Sequence, residues 1–219
     1  MNLNGKAVLV AGGSGAIGAA VVQACAAAGA RVAFTWFSRE DAAQTLRRQL
    51  PDALAVQADG RSPQSCQDAV RAAADRFGRL DGFVHCIGVT GDSLFVRQKE
   101  EAWEDLLRVN LLSAVSFCRA AARPMLVQRS GSIVAVTSIA ASVPSTGQAA
   151  YAATKGAMES LVRAPAVEFG PKGIRANAIA PGRIESPMTA ALHQREAGRL
   201  LDRIPLRRYG APQDAAGLA

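Results

Sequence analysis

Residues 7–18 read Ala7-Val8-Leu9-Val10-Ala11-Gly12-Gly13-Ser14-Gly15-Ala16-Ile17-Gly18. The unbroken apolar run Ala7–Val10 predicts a strand buried on both faces, because a half-exposed strand would alternate apolar and polar residues. Gly13-x-Gly15-x-x-Gly18 follows directly and opens an Ala-rich helical stretch, Ile17–Ala28. In that setting the glycines allow a sharp turn and a close backbone approach to a pyrophosphate, which a helix N-terminus attracts. A tight glycine turn without a ligand has the same spacing, but strand before and helix after is the context a dinucleotide loop requires.

The same alternation continues outward. Arg31–Thr35, Leu54–Gln57, Gly82–Cys86, Ser132–Thr137 and Arg175–Ala180 read as strands. Arg39–Gln49, Pro63–Phe77, Glu101–Gln128 and Ala152–Phe169 read as helices. Strands that alternate with helices imply an α/β fold, a Rossmann-type doubly wound parallel sheet covered on both faces. No repeat, low-complexity tract or linker divides the chain, so residues 1–219 are expected to form a single domain.

Composition narrows the function. With 49% hydrophobic residues the chain is too apolar for disorder. Its apolar segments are too short to span a membrane, and the N-terminus lacks the features of a secretory signal, so a cytoplasmic location is expected. Cys25, Cys66, Cys86 and Cys118 have no metal-ligand or C-x-x-C spacing. Cys25, Cys66 and Cys118 read as small packed hydrophobes. His85 and His193 have no carboxylate cluster beside them, so no metal is expected. The net charge of +7 suggests acidic ligands or partners. Nucleic acid is disfavoured, since the basic residues are spread out and aromatics make up only 5%.

The chemistry centres on Tyr151-Ala152-Ala153-Thr154-Lys155. Residues four apart share a helix face, so the Lys155 ammonium would stand beside the Tyr151 phenol. A nearby cation favours phenolate and would lower the tyrosine pKa toward neutrality. Ser138 closes the strand-like run upstream, thirteen residues before Tyr151.

Together these pieces resemble the short-chain dehydrogenase/reductase family over essentially the whole chain. The family loop T-G-x-x-x-G-x-G falls on Ala11, Gly12, Gly13, Ser14, Gly15, Ala16, Ile17 and Gly18, with alanine at the threonine and middle glycine. The resemblance assigns Gly12, Ser14, Gly15, Ile17 and Gly18 to the cofactor, and Asp59 with Gly60 to its adenine. The family's N-N-A-G becomes His85-Cys86-Ile87-Gly88, which would put Cys86, Ile87 and Gly88 along the cofactor cleft. His85 reads as a packed histidine satisfied by a backbone group rather than a catalytic base. Pro181-Gly182-Arg183-Ile184-Glu185-Ser186 matches P-G-x-I-x-T, implying that Pro181, Gly182, Ile184 and Ser186 contact the nicotinamide half. Asn110, Ser138, Tyr151 and Lys155 then form a catalytic tetrad. Ser138 would orient a ketone, Tyr151 donate the proton, Lys155 lower the tyrosine pKa and hold the ribose, and Asn110 hold a water for proton resupply.

The second strand leads into Ser38-Arg39, with no carboxylate before Glu40. A carboxylate would repel a 2′-phosphate, whereas Ser38 and Arg39 could hold one, so NADP(H) is favoured over NAD(H). Within the family the chain looks most like the 3-oxoacyl-[acyl-carrier-protein] reductases. Arg129 and Lys172 stand where those enzymes receive the acidic carrier protein, which implies a carrier-bound 3-oxoacyl substrate of fatty-acid or polyketide synthesis and a homodimer or homotetramer. Reduction of a free ketone and a non-catalytic NADP-binding pseudoenzyme are the alternatives. Two departures stand out. Pro165 should kink the helix that carries Tyr151 and Lys155. The family's last strand is expected to be missing after Ala219, leaving a bare sheet edge. The segment Pro187 to Pro205 reads as a lid that governs substrate choice.

Overall fold

A computed structural model describes residues 2–189 and 201–219. The core of the lid-like segment, residues 190–200, and with it His193, lies outside the described residues. Six parallel strands form one sheet: β1 (Ala7–Ala11), β2 (Arg31–Trp36), β3 (Leu54–Gln57), β4 (Gly82–His85), β5 (Gly131–Val136) and β6 (Ile174–Ile179). Their order is β3-β2-β1-β4-β5-β6, the Rossmann arrangement, in which the chain reverses its direction of growth between β1 and β4. Parallel neighbours need crossovers. These are supplied by α1 (Ala16–Ala27), α2 (Glu40–Gln49), α3 (Pro63–Phe77), α4 (Glu100–Leu106), α5 (Ser113–Gln128) and α6 (Ala149–Phe169), and a short α7 (Pro212–Ala216) follows.

Strand periodicity divides the core into two layers. Leu9, Phe83 and Ile133 point to one face, where they pack with Phe117, Met125 and Met158 from α5 and α6. Their neighbours Val8, Val10, Val84 and Val134 point to the other, against Val21, Val22 and Leu46 from α1 and α2. All five residues of β1 are buried, as expected for a central strand covered on both faces. Among the described residues β6 is an edge strand, and it alternates buried and exposed positions, with Arg175 and Asn177 outward. Polar side chains there blunt the pairing tendency of an open edge. No helix among the described residues is long and apolar enough to cross a membrane.

Most predicted elements lie within a residue or three of their observed bounds. The long helix expected over 101–128 differs. It is α4 and α5 joined by a π-helical turn, Leu107–Leu112. Such turns insert an extra residue into the helical ladder and re-aim side chains, and this one carries Asn110 fully buried. The Pro165 expectation is also modified, because α6 remains helical from Ala149 through Phe169. Ten residues separate Pro165 from Lys155, about 15 Å of helix, so the lost hydrogen bond falls well away from Tyr151 and Lys155.

Candidate active site

Open α/β sheets bind ligands beyond the strand C-termini at the point where strand order reverses. The cleft found there measures about 1390 Å³ and runs from the glycine loop to the segment after β6. Gly12 sits in the left-handed region at φ 79°, and a side chain on it would press against the Ile87 backbone nitrogen at 3.0 Å. Gly12 N–H donates to Thr35 Oγ1 at 3.0 Å and Gly13 N–H to the Thr35 carbonyl at 2.8 Å. A Cβ on Gly18 would fall on the Gly12 carbonyl oxygen. The N-cap of α1, Gly15, makes no side-chain hydrogen bond, and its first turn holds no acidic residue. The positive end of the helix dipole is thus open to the cleft. These features fit a dinucleotide pyrophosphate. Thr35, which fastens the loop to β2, was not singled out by its sequence.

Ser38, Arg39, Asp59 and Gly60 line the far end of the cleft, with Arg39 capping α2. Arg61 joins them. Its guanidinium lies 5.5 Å over the Phe37 ring and pairs with Asp59 at 3.4 Å and Asp105 at 3.7 Å. Its position straight after Asp59-Gly60 was the available signal.

At the other end the four tetrad positions come from three parts of the fold: the π-turn, the end of β5 and the start of α6. Ser138 Oγ accepts the Ala140 N–H at 3.1 Å, which fixes the hydroxyl and leaves its proton to donate. Both Ser138 and Tyr151 line the cleft. Lys155 lies behind them, buried, with Nζ 5.7 Å from the Tyr151 ring centroid and donating to the Val136 carbonyl at 3.0 Å. Asn110 Oδ1 accepts from Val89 N–H at 2.8 Å. Its Nδ2 donates to Val89 O at 3.0 Å and Thr154 Oγ1 at 3.1 Å. Gly88 lets Lys155 and Asn110 close in, because a Cβ there would lie 3.1 Å from Lys155 Nζ. Pro181, Gly182, Ile184 and Ser186 complete the opposite wall.

Two electrostatic expectations change. The Tyr151 pKa is raised, not lowered. Burial is the main cause and the Asp92 charge adds to it, while the Ser138 hydroxyl pulls the other way. Desolvation of the phenolate is the largest effect, and the Lys155 ammonium is directed to the Val136 carbonyl. Burial also pushes Lys155 down to about 8, so the ammonium itself titrates near the operating range. His85 is wholly buried and packed, but its Nε2 pairs with the Ser113 hydroxyl at 2.9 Å rather than with a backbone group. Its Nδ1 is buried without a partner. Burial, helped by the Lys155 charge, lowers its pKa to about 3, which keeps it neutral. Cys86 does line the cleft. Burial raises its thiol to about 12, which removes it as a nucleophile. Cys25, Cys66 and Cys118 are buried free thiols.

Arg129 and Lys172 are brought close together, since Gly173 packs against the Arg129 carbonyl. They stand before β5 and β6, however, at the N-terminal edge of the sheet. Ser138 follows the opposite end of β5, a strand length of roughly 20 Å away. Cleft and basic pair therefore occupy opposite edges of the sheet.

A parallel Rossmann sheet whose cleft beyond the strand C-termini is flanked by Y-x-x-x-K and serine defines a nicotinamide-dependent oxidoreductase. The chain belongs to the short-chain dehydrogenase/reductase family. The family profile described as "Enoyl-(Acyl carrier protein) reductase" matches residues 11–219. The chain is 36% identical over 217 residues to the 3-oxoacyl-[acyl-carrier-protein] reductase of Vibrio cholerae, covering 99% of this chain and 88% of that protein. The corresponding reductase of Synechocystis is 34% identical over 219 residues, covering 98% and 87%. Among solved structures, gox2181 is similar with a TM-score of 0.94 at 32% identity, covering 99% of this chain and 88% of its own. A short-chain type dehydrogenase/reductase from Mycobacterium ulcerans is similar with a TM-score of 0.94 at 29% identity, covering 100% and 82%.

Proposed function

We propose that the cleft reduces a 3-oxoacyl thioester, carried on acyl carrier protein, to the 3-hydroxyacyl thioester with NADPH. The observation that carries the reading is the convergence of the Ser138 and Tyr151 hydroxyls on one cavity with the buried Lys155 behind them. Two hydroxyl donors lining one cavity, with the Ser138 hydroxyl beside that of Tyr151, suit an oxygen that gains negative charge, which favours a ketone over a carbon–carbon double bond as the group reduced. When bound, NADPH supplies the hydride. Ser138 holds and orients the carbonyl oxygen, and Tyr151 gives it a proton. Lys155, protonated below about pH 8, stabilises the phenolate left behind. Asn110 holds the Val89 backbone, and so the floor beneath Lys155, in place. Ser38 and Arg39 at the adenine end support the choice of the phosphorylated cofactor.

The carrier-bound substrate is supported by the names of the curated relatives and by the net charge of +7. One observation favours a second reading, reduction of a free ketone. The Arg129 and Lys172 pair lies on the edge of the sheet opposite the cleft, so a carrier docked there would not face this chain's own site. Cofactor oxidation with an acetoacetyl thioester and with free ketones, each with NADPH and NADH, tests the reading. Faster NADPH-dependent turnover of the thioester supports it. Turnover confined to free ketones supports the alternative, and tight NADPH binding without any turnover points to a sensor.

A further inference from the structure

The ketone end of the cleft contains an arginine that neither the tetrad nor the cofactor contacts use. Arg183 follows Gly182 in the segment after β6, half-buried in the cleft wall. Its backbone is fixed, because its carbonyl accepts the Gly210 N–H at 2.8 Å and Ile184 bridges to Gly210. Its guanidinium reaches across to the loop between Ser138 and Tyr151, where Nη2 donates to Ser145 Oγ at 3.0 Å. Ser145 is itself held, its N–H donating to Gln148 Oε1 at 3.0 Å. The other cleft arginines that form ion pairs are neutralised by the protein: Arg61 by Asp59 and Asp105, and Arg208 by Asp214. Among the described residues no carboxylate lies within ion-pairing distance of Arg183. A preorganised guanidinium keeps its fork of donors for a planar or tetrahedral anion.

We propose that Arg183, held by Ser145, is a specificity residue that binds an anionic group of the ketone substrate, a carboxylate or a phosphate. This rests on the reading of Ser138 and Tyr151 as the carbonyl-holding pair. A carboxylate would come from a free oxo acid, and a phosphate from the arm that carries an acyl thioester. The shared chemistry is a charged group reaching the loop ahead of Tyr151.

The test compares kcat and KM for acetoacetate against its neutral ethyl ester, and for acetoacetyl phosphopantetheine against the dephosphorylated thioester. Wild type, Arg183→Leu and Arg183→Lys enzymes are used. A charge-assisted contact predicts a preference of about tenfold or more in kcat/KM for the charged member of at least one pair. Arg183→Leu should erase that preference through KM, leave kcat and the NADPH dissociation constant within about twofold, and spare the neutral substrates. Arg183→Lys should retain part of it. The pair that shows the preference identifies the source of the anion. Equal use of charged and neutral substrates by wild type, or equal loss of both in Arg183→Leu, overturns the proposal. If no ketone is turned over, the catalytic reading fails, and calorimetric titration of the same ligands into the NADP⁺ complex decides this subsite alone. Anion-selective binding abolished by Arg183→Leu supports it, and charge-blind binding overturns it.

Discussion

His85 shows how much a single side chain can disclose about its surroundings. It is enclosed by Phe83, Phe117 and Ser113, and burial holds its pKa near 3. Protonation in the unfolded chain occurs near 6.5, so the folded state resists a proton that the unfolded state accepts. Stability is therefore complete above pH 6.5 and falls as pH drops toward 3, at a slope approaching about 1.4 kcal/mol per pH unit. Replacing His85 with asparagine should flatten that limb, as measured by urea unfolding between pH 6.5 and 4.5. An unchanged slope would show that other groups govern it. Lys155 acts in a separate window. Its pKa of about 8 lies below its ordinary value of 10.5, so stability should rise as pH climbs from 8 toward 10.5. These residues were named from the sequence, but their electrostatics were not legible there. The sign of the Tyr151 shift depends on how much solvent the phenol loses, and spacing along a helix carries no such information.

Among the elements, legibility followed the strength of the pattern. β1 and the glycine loop were readable because continuous apolar residues and a G-x-G-x-x-G turn have few other structural solutions. Helix α3 was read at its observed bounds, and in the structure Ser62 accepts the Ser65 N–H ahead of Pro63 while Gly78 closes the helix in the left-handed region. The π-turn of Leu107–Leu112 was not legible, because the one-residue shift it makes in the helical pattern falls among the closely spaced apolar residues Leu106, Leu107, Val109, Leu111 and Leu112. It is nonetheless what joins Asn110 to Val89 and Ser113 to His85. Pro165 was legible, and α6, packed against β6, stays helical on both sides of it. Pro165→Ala restores an N–H inside a helix, where proline costs roughly 3 kcal/mol relative to alanine. The variant should be more stable by about 1–3 kcal/mol in chemical denaturation, with kcat unchanged. Loss of turnover would show that the proline is needed to place Tyr151 and Lys155.

For the whole molecule, the strand order decides what the isolated motifs could not. Placing β1 beside β4 and β5 beside β4 gathers the glycine loop, the His85-Cys86-Ile87-Gly88 segment and Ser138 along one edge of the sheet. α6 then lays Tyr151 and Lys155 across it. The same topology separates Arg129 and Lys172, which precede β5 and β6, from the cleft beyond the strand C-termini. Under the proposed function the Tyr151 hydroxyl delivers the proton to a ketone held in this cleft. Tyr151→Phe removes one oxygen and leaves the ring, the Lys155 contact and the cofactor walls intact. Turnover of the best ketone with NADPH should fall by roughly 100-fold or more while NADPH affinity stays near wild type. Near-normal turnover in Tyr151→Phe would contradict the account.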